Sequence, residues 1–456
     1  LEFKLVDDTI DFFDPIRQTM ACLDRAEQIL EDILAGKMVD DLAEEFHITW
    51  GSTSCLLDVN ESRPGVLEAY ALGQKVTLVT DDKTRTAAKL DAMGFGLPQI
   101  KLSAFRVCSK SRPMPLQGKW PPGTVQAFLQ WQNALDTRCS KKIEQRLLEM
   151  FRGKATRVLA LIDSPVLQYG FEVDLRRQPV GLGKKTSLRE DLYRLPIRRI
   201  SVYRIDDKYL AGRNLHGAKT LAAHKVGLIG CGTIGGYLAE MLAKAGAGTV
   251  GGKLTLVDMG SFEPGNLGRH RLGFNALLMS KAEAMRDELR RVAPGIDVAA
   301  MVGDAKGVTL GSLDLLIDAT GEQGLTDWLT WKYADKVPFL SAWVEGSGLA
   351  VRALLKAKPE YACARCVSQP PLRDQYRVFD VPPEVIMKGH GCEGLYVPFP
   401  ASASVQAAAL AMEMVQAWLD GSDSPSFRTR VLDQSHEVRF KDCSPQRYEG
   451  CPACAM

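Results

Sequence analysis

The chain has 456 residues, 46% of them apolar, and a formal net charge of +2. That is enough to bury two or three ordinary cores, and too little charge of one sign to draw nucleic acid or an anionic membrane. No apolar run has bilayer-spanning length, the N-terminus carries acids where a signal peptide needs basic and apolar regions, and eleven cysteines in such a chain argue for metal or catalysis rather than disulfides. The expectation is a cytoplasmic protein with neither nucleic acid nor membrane among its partners.

Residues 1–205 are expected to form a smaller α/β or α+β domain. Asp14-Pro15 is a helix start, and Ile16, Met20, Leu23, Leu30 and Leu34 follow at helical spacing up to Gly36. The runs KVTLVT (75–80) and RVLALI (157–162) read as strands, and residues 124–135 and 143–151 as amphipathic helices. The stretch QPVGLGKKT (178–186) lacks the spacing of a phosphate loop and reads as a solvated loop. Cys22, Cys55, Cys108 and Cys139 show no metal-like pairing; Cys22 reads as packing inside its helix, and Cys108 as a bystander thiol before a basic loop. Residues 188–218 read as a connector into a second domain, 206–456.

That second domain opens on VGLIGCGTIGG, an apolar strand running into Gly230, Gly232 and Gly235, followed by a helical pattern over 237–247. Glycines there let the backbone approach a phosphate, and the helix N-terminus offers amide donors and a positive dipole. The next strand, 254–257, ends in Asp258, an acid placed to take ribose hydroxyls. Asn266 and Arg269 follow as Asn-Leu-x-Arg; a nicotinamide site has no use for such an arginine, whereas a triphosphate site does. Lys281 begins a helix running to about 292. The strand LDLLIDATG (313–321) ends in Asp318, at the carboxyl end where ligands bind in open parallel sheets. The set supplies an acid for ribose, an arginine and a lysine for phosphates, and a second acid for magnesium: an ATP site with Mg2+. Cys231, inside the glycine turn, reads as a small packed side chain. Trp343 and Glu345 (SAWVEGSG) follow a strand near the same crevice and read either as ordinary packing and a solvated acid or as the lining of a channel for an extended peptide.

Two knuckles, Cys363-x-x-Cys366 and Cys451-x-x-Cys454, are separated by 84 residues. Two such pairs can complete a closed tetrahedral four-thiolate site of the kind zinc prefers, structural because no coordination position is left for substrate; two unrelated pairs or a redox dithiol are the other readings. Cys392 lies in GCEGLYVPFP, ahead of a long helical run over 402–419, with His390 two residues before it. Cys443 reads as an inert thiol.

The nucleotide motifs from about residue 210 to 456 together resemble the ubiquitin-activating enzyme superfamily, which includes the adenylyltransferases of thiamine and molybdopterin biosynthesis, and are most like the activating domain of bacterial antiphage ubiquitin-like conjugation systems. The resemblance implies a Rossmann-like adenylation domain with a mainly parallel sheet and a zinc-stapled C-terminal part. It implies adenylation of the C-terminal glycine of a ubiquitin-like protein, and a homodimeric enzyme that passes its product to a conjugating-enzyme-type protein. In that family a catalytic cysteine sits in a crossover loop before such a helix, which makes Cys392 a candidate thioester nucleophile; an additional metal ligand and an inert thiol are the other roles open to it. An upstream arginine reaches the ATP phosphates in family members, and Arg213 stands in the corresponding region, though its local pattern departs from the familiar one. The end of the N-terminal region, around FEVDL (171–175), is similar to the linker domain of the antiphage fusions. A sulfur-carrier activator, a nicotinamide oxidoreductase and a non-catalytic scaffold are the alternatives.

Overall fold

The computed structural model describes residues 13–35, 37, 46–51, 53–60, 65–72, 76–96, 100–116, 120–176, 187–369, 372–381, 384, 386–389 and 396–454. Its contacts divide the chain into two units, one of residues 1–83 and 95–206, the other of 84–94 and 207–456. Among the described residues no helix is long and apolar enough to cross a membrane.

The first unit is a closed barrel. Its strands are β1 (Thr53–Asp58), β2 (Gly65–Leu72), β3 (Val76–Thr80), β4 (Ile100–Cys108), β5 (Arg157–Asp163), β6 (Gln168–Asp174) and β7 (Ile197–Arg204), in the order β1-β3-β2-β4-β5-β6-β7, with β7 returning to pair in parallel with β1. Alternate residues explain why VLALI (158–162) is apolar throughout. Leu159 and Leu161 join Leu102, Ala104, Cys55 and Val79 in one cluster. Val158, Ala160 and Ile162 face the other way, into a second cluster with helices Val125–Leu135 and Thr137–Arg152. Thr124 and Asp136 cap those helices by accepting from Ala127 N and Cys139 N at 3.2 and 3.0 Å.

One expectation for this region needs correction, and a second is met with an unexpected surface. Residues 188–218 are not a connector: they include a helix, Leu188–Arg194, and β7, the strand that closes the barrel. The sequence IRRISVYR hides that role because two of its arginines find partners only in the folded chain, Arg198 in an ion pair with Glu172 and Arg199 in hydrogen bonds to the carbonyls of Trp50 and Pro122. The helix after Asp14 forms, Pro15–Leu34, capped by Asp14, but the apolar residues that announce it stay exposed; Leu34 is 88% and Ile16 78% accessible. The phosphate-loop-like stretch 178–186 lies outside the described residues.

The second unit is a seven-stranded sheet. Its strands are β8 (Lys225–Ile229), β9 (Lys253–Asp258), β10 (Val298–Val302), β11 (Leu315–Asp318), β12 (Phe339–Glu345), β13 (Ala350–Lys356) and β14 (Phe427–Val431), in the order β10-β9-β8-β11-β12-β13-β14. The first five in that order pair in parallel, and β13 and β14 are antiparallel. Buried on both faces, β8 (KVGLI) and β11 (LLID) read as apolar runs. Helices Thr233–Lys244, Lys281–Val292 and Ala401–Asp420 pack on one face, and Gln323–Tyr333 on the other. From β8 the chain winds one way to β9 and β10, while β11 and β12 lie on its other side. The order therefore reverses between β8 and β11, and open α/β sheets bind ligands at the carboxyl ends of strands beside such a reversal.

Candidate functional site

The strand register brings the nucleotide candidates to one edge. Asp318 is level with Ile229, and Ile229 with Val257, so Gly230, Asp258 and the residues after Asp318 emerge side by side. Gly230 turns there at φ +89°, and a Cβ on it would meet Thr320 Cγ2 at 2.9 Å; a Cβ on Gly235 would lie 1.8 Å from the carbonyl oxygen of Gly230. Both positions exclude any other residue. A Cβ on Gly232 would meet nothing within 4 Å, so the turn is open there. Gly232 is also the N-cap of Thr233–Lys244 and offers no side-chain cap, leaving the first amides of that helix for a ligand.

Asp258 is held by both its oxygens: Cys231 N donates to Oδ2 and Gly260 N to Oδ1, each at 2.7 Å. Lys281, first residue of its helix, reaches the same spot, since a Cβ on Gly260 would lie 3.2 Å from Asp258 Oδ1 and 3.3 Å from Lys281 Nζ. Asn266 Oδ1 accepts from Glu263 N at 3.1 Å and so shapes the turn rather than projecting freely. Arg269 stacks on Phe399 and Tyr396, at 4.6 and 5.5 Å from the ring centres; its Nε is buried with no hydrogen-bond partner. Arg213 is exposed, in the turn after helix Asp207–Gly212, and no contact among the described residues brings its side chain to the crevice.

Asp318 is 1% exposed. Thr320 donates to its Oδ1 from N and Oγ1 at 3.0 and 2.7 Å, and Thr326 Oγ1 donates to Oδ2 at 2.5 Å. Burial pushes this carboxyl above the usual carboxylate range despite those hydrogen bonds. Asp318 lines a cavity of about 650 Å3 together with Ser341, Trp343, Glu345 and Arg352. Cys231 is fully buried, and desolvation raises its thiol well above the ordinary value; it packs and does not react.

His270 is a residue that the motif reading passed over. Leu272 N donates to its Nδ1 at 3.0 Å, which puts the ring proton on Nε2, donating to the carbonyl of Cys231 at 2.8 Å. The ring thus ties the Asn266–Arg269 segment to the glycine turn, with its edge on Phe262. Burial lowers its pKa below the ordinary 6.5. In the window between that lowered value and 6.5 the unfolded chain binds a proton that the folded one refuses, so stability is present above it and lost as pH falls. Melting temperatures measured from about pH 7 to about pH 5 should therefore fall more steeply for the wild type than for His270→Gln; equal slopes would mean that the ring accepts a proton in place.

The four knuckle cysteines come together. Their sulfurs all lie within 4.8 Å of one another and all four residues are buried. Cys363 and Cys366 are 3.5 Å apart, Cys363 and Cys451 3.7 Å, Cys366 and Cys454 3.5 Å. A tetrahedron with Zn–S bonds of about 2.3 Å has edges of about 3.8 Å, so the donor set fits a zinc ion with little movement. Tyr448 N also donates to Cys366 Sγ at 3.5 Å, and hydrogen bonding from Cys363 and Cys454 holds the Cys366 thiol far below its ordinary range. Around the cluster Tyr361 pairs with Gln446 and Phe427 with Cys443.

Cys392 and His390 lie outside the described residues. On either side of them Lys388 and Tyr396 exchange backbone hydrogen bonds at 2.9 and 2.8 Å, and the chain beyond runs past Arg269 into helix Ala401–Asp420.

Comparison with known proteins adds the following. A family model described as "ThiF family" matches residues 209–453. The "ATP-dependent ubiquitin transferase-like protein Cap2" of Pseudomonas aeruginosa (strain BWHPSA011 / Pa011) is 47% identical over 449 residues, 98% of this chain and 83% of that protein. The "Molybdopterin-synthase adenylyltransferase" of Escherichia coli (strain K12) is 26% identical over 258 residues, 54% of this chain and 93% of that protein. Among solved structures, that of E. coli MccB with ATP is similar at a TM-score of 0.39 and 18% identity, over 55% of this chain and 69% of that one.

Proposed function

Because the chain belongs to the ThiF family, we propose that it uses ATP to adenylate the C-terminal glycine of a ubiquitin-like protein and then takes the acyl group on Cys392. The observation that carries the reading is the meeting of the open glycine turn, the doubly held Asp258, Lys281 and the end of β11 at one sheet edge. The names of the relatives, a ubiquitin transferase-like protein and an adenylyltransferase, support the same chemistry. The sulfur-carrier alternative is less well supported, because the adenylyltransferase match leaves nearly half of this chain uncovered while the transferase-like relative spans both units.

In this reading the substrate carboxylate attacks the α-phosphorus of ATP and pyrophosphate leaves with the electron pair of the broken P–O bond. Asp258 takes the ribose hydroxyls, the amides of the glycine turn and helix N-terminus face phosphate, and Lys281 and Arg269 offset the charge on the departing group. For Arg269 this requires exchanging the aromatic stack for phosphate. Asp318, which lines the cavity, is the carboxylate suited to a magnesium ion, a hard cation that takes one or two protein oxygens and leaves its other positions to water and phosphate; it would supply charge neutralisation. The Cys392 thiolate then attacks the acyl carbonyl, AMP leaves, and a thioester remains for a conjugating-enzyme-type partner. A homodimer that brings Arg213 to a neighbouring crevice completes the proposal.

The test separates the two steps. ATP–pyrophosphate exchange is measured with candidate small proteins ending in glycine, and adducts are run on gels with and without thiol. Cys392→Ala should keep exchange at the wild-type rate and lose the thiol-sensitive adduct. An adduct that persists in Cys392→Ala moves the nucleophile elsewhere; exchange without any wild-type adduct favours the sulfur-carrier type of enzyme.

A further inference from the structure

The cavity reached from Asp318 has a floor made by one face of the sheet. Ser341 is level with Asp318, and Trp343 and Glu345 follow it on the same face of β12, about 7 and 13 Å farther along the strand. Arg352 of β13 is paired with Trp343, and Thr429 of β14 with Arg352. The opposite face, with Leu340, Ala342, Val351 and Ala353, is sealed by helix Ala401–Asp420. The floor therefore leads from the end at Asp318 past Arg352.

Arg352 is an unusual residue for a strand interior. It is 6% exposed, and its guanidinium lies 4.1 Å from the ring centre of Phe427 and 4.6 Å from that of Phe440. Its Nε donates to Thr429 Oγ1 at 3.1 Å and its Nη1 to Glu345 Oε1 at 3.2 Å. Its Nη2 is buried without a partner, in a side chain that lines the cavity. A desolvated guanidinium N–H left unpaired is costly, and such groups in native proteins call for an explanation. Three arginines, Arg352, Arg373 and Arg377, line the cavity against two acids, Asp318 and Glu345. Arg377 is engaged by Asp374 at 2.7 Å, whereas Arg373 is exposed.

We propose that Arg352 is a specificity-determining residue, which selects polypeptides carrying an acidic side chain a few residues before the carboxylate to be activated. The inference rests on the adenylation reading and adds to it the class of tail the site prefers. A carboxylate suits this place better than a neutral acceptor, because a charge-assisted hydrogen bond to Nη2 satisfies the orphan donor inside a largely apolar, aromatic wall.

The test uses the full chain without ATP and fluorescein-labelled twelve-residue peptides ending in Gly-Gly, with Glu or Gln placed in turn at each of the five positions before them, read by fluorescence anisotropy. At one position Glu should bind about tenfold more tightly than Gln. Arg352→Gln should abolish that preference while leaving the Gln peptide's affinity within about twofold, and Asp318→Asn should retain the preference even with exchange abolished. Equal binding of Glu and Gln peptides at every position, or binding of none, overturns the proposal. The wild-type preference decides this even if Arg352→Gln fails to fold. A preference that persists in a wild type unable to catalyse exchange would leave the tail site standing and remove the adenylation reading instead.

Discussion

Asp318→Asn should abolish ATP–pyrophosphate exchange and leave the protein at least as thermally stable as the wild type. The two outcomes come from one physical cause. A carboxylate at 1% exposure is an expensive charge to bury, and three donors from Thr320 and Thr326 do not fully offset the cost, because its pKa still lies above the ordinary 3.8. A raised pKa means that the folded state binds the proton more readily than the unfolded one. The stabilisation from protonated Asp318 is complete below about 3.8 and is lost as pH rises through the folded value, so at neutral pH the ionised group is a net burden on the fold. Asparagine removes the charge at nearly constant volume, its oxygen can keep the Thr320 donors, and the Thr326 hydroxyl can rotate to accept from the new amide. What asparagine does not supply is a negative oxygen for a divalent cation beside the phosphates. The loss in exchange should be roughly a thousandfold or more, on the scale of deleting a group that stabilises transition-state charge. Exchange assays and melting curves on the same preparation decide it. Near-normal exchange would remove Asp318 from the chemistry. A melting temperature several degrees below wild type would make the carboxylate a structural hydrogen-bond hub instead.

The features legible in the sequence are those whose chemistry is local. The glycine turn could be read because Gly230 and Gly235 are fixed by sterics within a few residues of each other, and β8 and β11 because strands buried on both faces must be apolar throughout. The knuckles could be read because a Cys-x-x-Cys spacing presents two sulfurs to one ion, and the four sulfurs do meet. The barrel could not. It closes by pairing β1 with β7, with Thr53 level with Ile200, and no local pattern carries information about so distant a partner. The exposed stripe on Pro15–Leu34 marks the same boundary: periodicity reports that a helix has an apolar face, and is silent about what covers it. Arg352 would be taken from AVRALLK as an outward-facing charge. Its burial is set by Phe427 and Phe440, which approach from a strand and a tail distant in sequence. His270 escaped notice because a single histidine beside a motif has no periodicity; its role rests on two backbone contacts, to Cys231 and Leu272, seen only in the folded chain.

Cys363→Ser, or stripping the metal from the wild type with a strong chelator, should lower the melting temperature by roughly 10 °C, and the purified protein should carry about one zinc ion per chain. The size of the effect follows from what the cluster joins. The two knuckles are separated by 84 residues, and tying such a loop removes roughly 4–5 kcal/mol of chain entropy from the unfolded state on the estimate used for covalent cross-links. For a domain of this size that corresponds to a shift on the order of 10 °C. The fold around the cluster makes the dependence asymmetric. Four sulfurs within 4.8 Å of one another in a buried site cannot all ionise without a cation, and hydrogen bonding among them, with burial, drives Cys363 upward while hydrogen bonding drives Cys366 down. Without metal, at least one thiol must keep its proton and the cluster must open. Apolar packing by Leu354, Phe427 and Phe440 continues to hold part of the tail, so the loss should be a lower melting temperature rather than complete unfolding. The crevice proposed for the nucleotide lies at the β8–β11 edge and is built from other residues. Exchange activity measured well below the new transition should therefore stay within about threefold of wild type. Cys443→Ser is the control: Cys443 is only partly buried and lies outside the four-sulfur group, so its replacement should shift the transition by no more than a degree or two. A metal-free protein with an unchanged transition, or Cys443→Ser as damaging as Cys363→Ser, would show that the four thiols are held together by packing alone and that zinc is not what staples the C-terminal part.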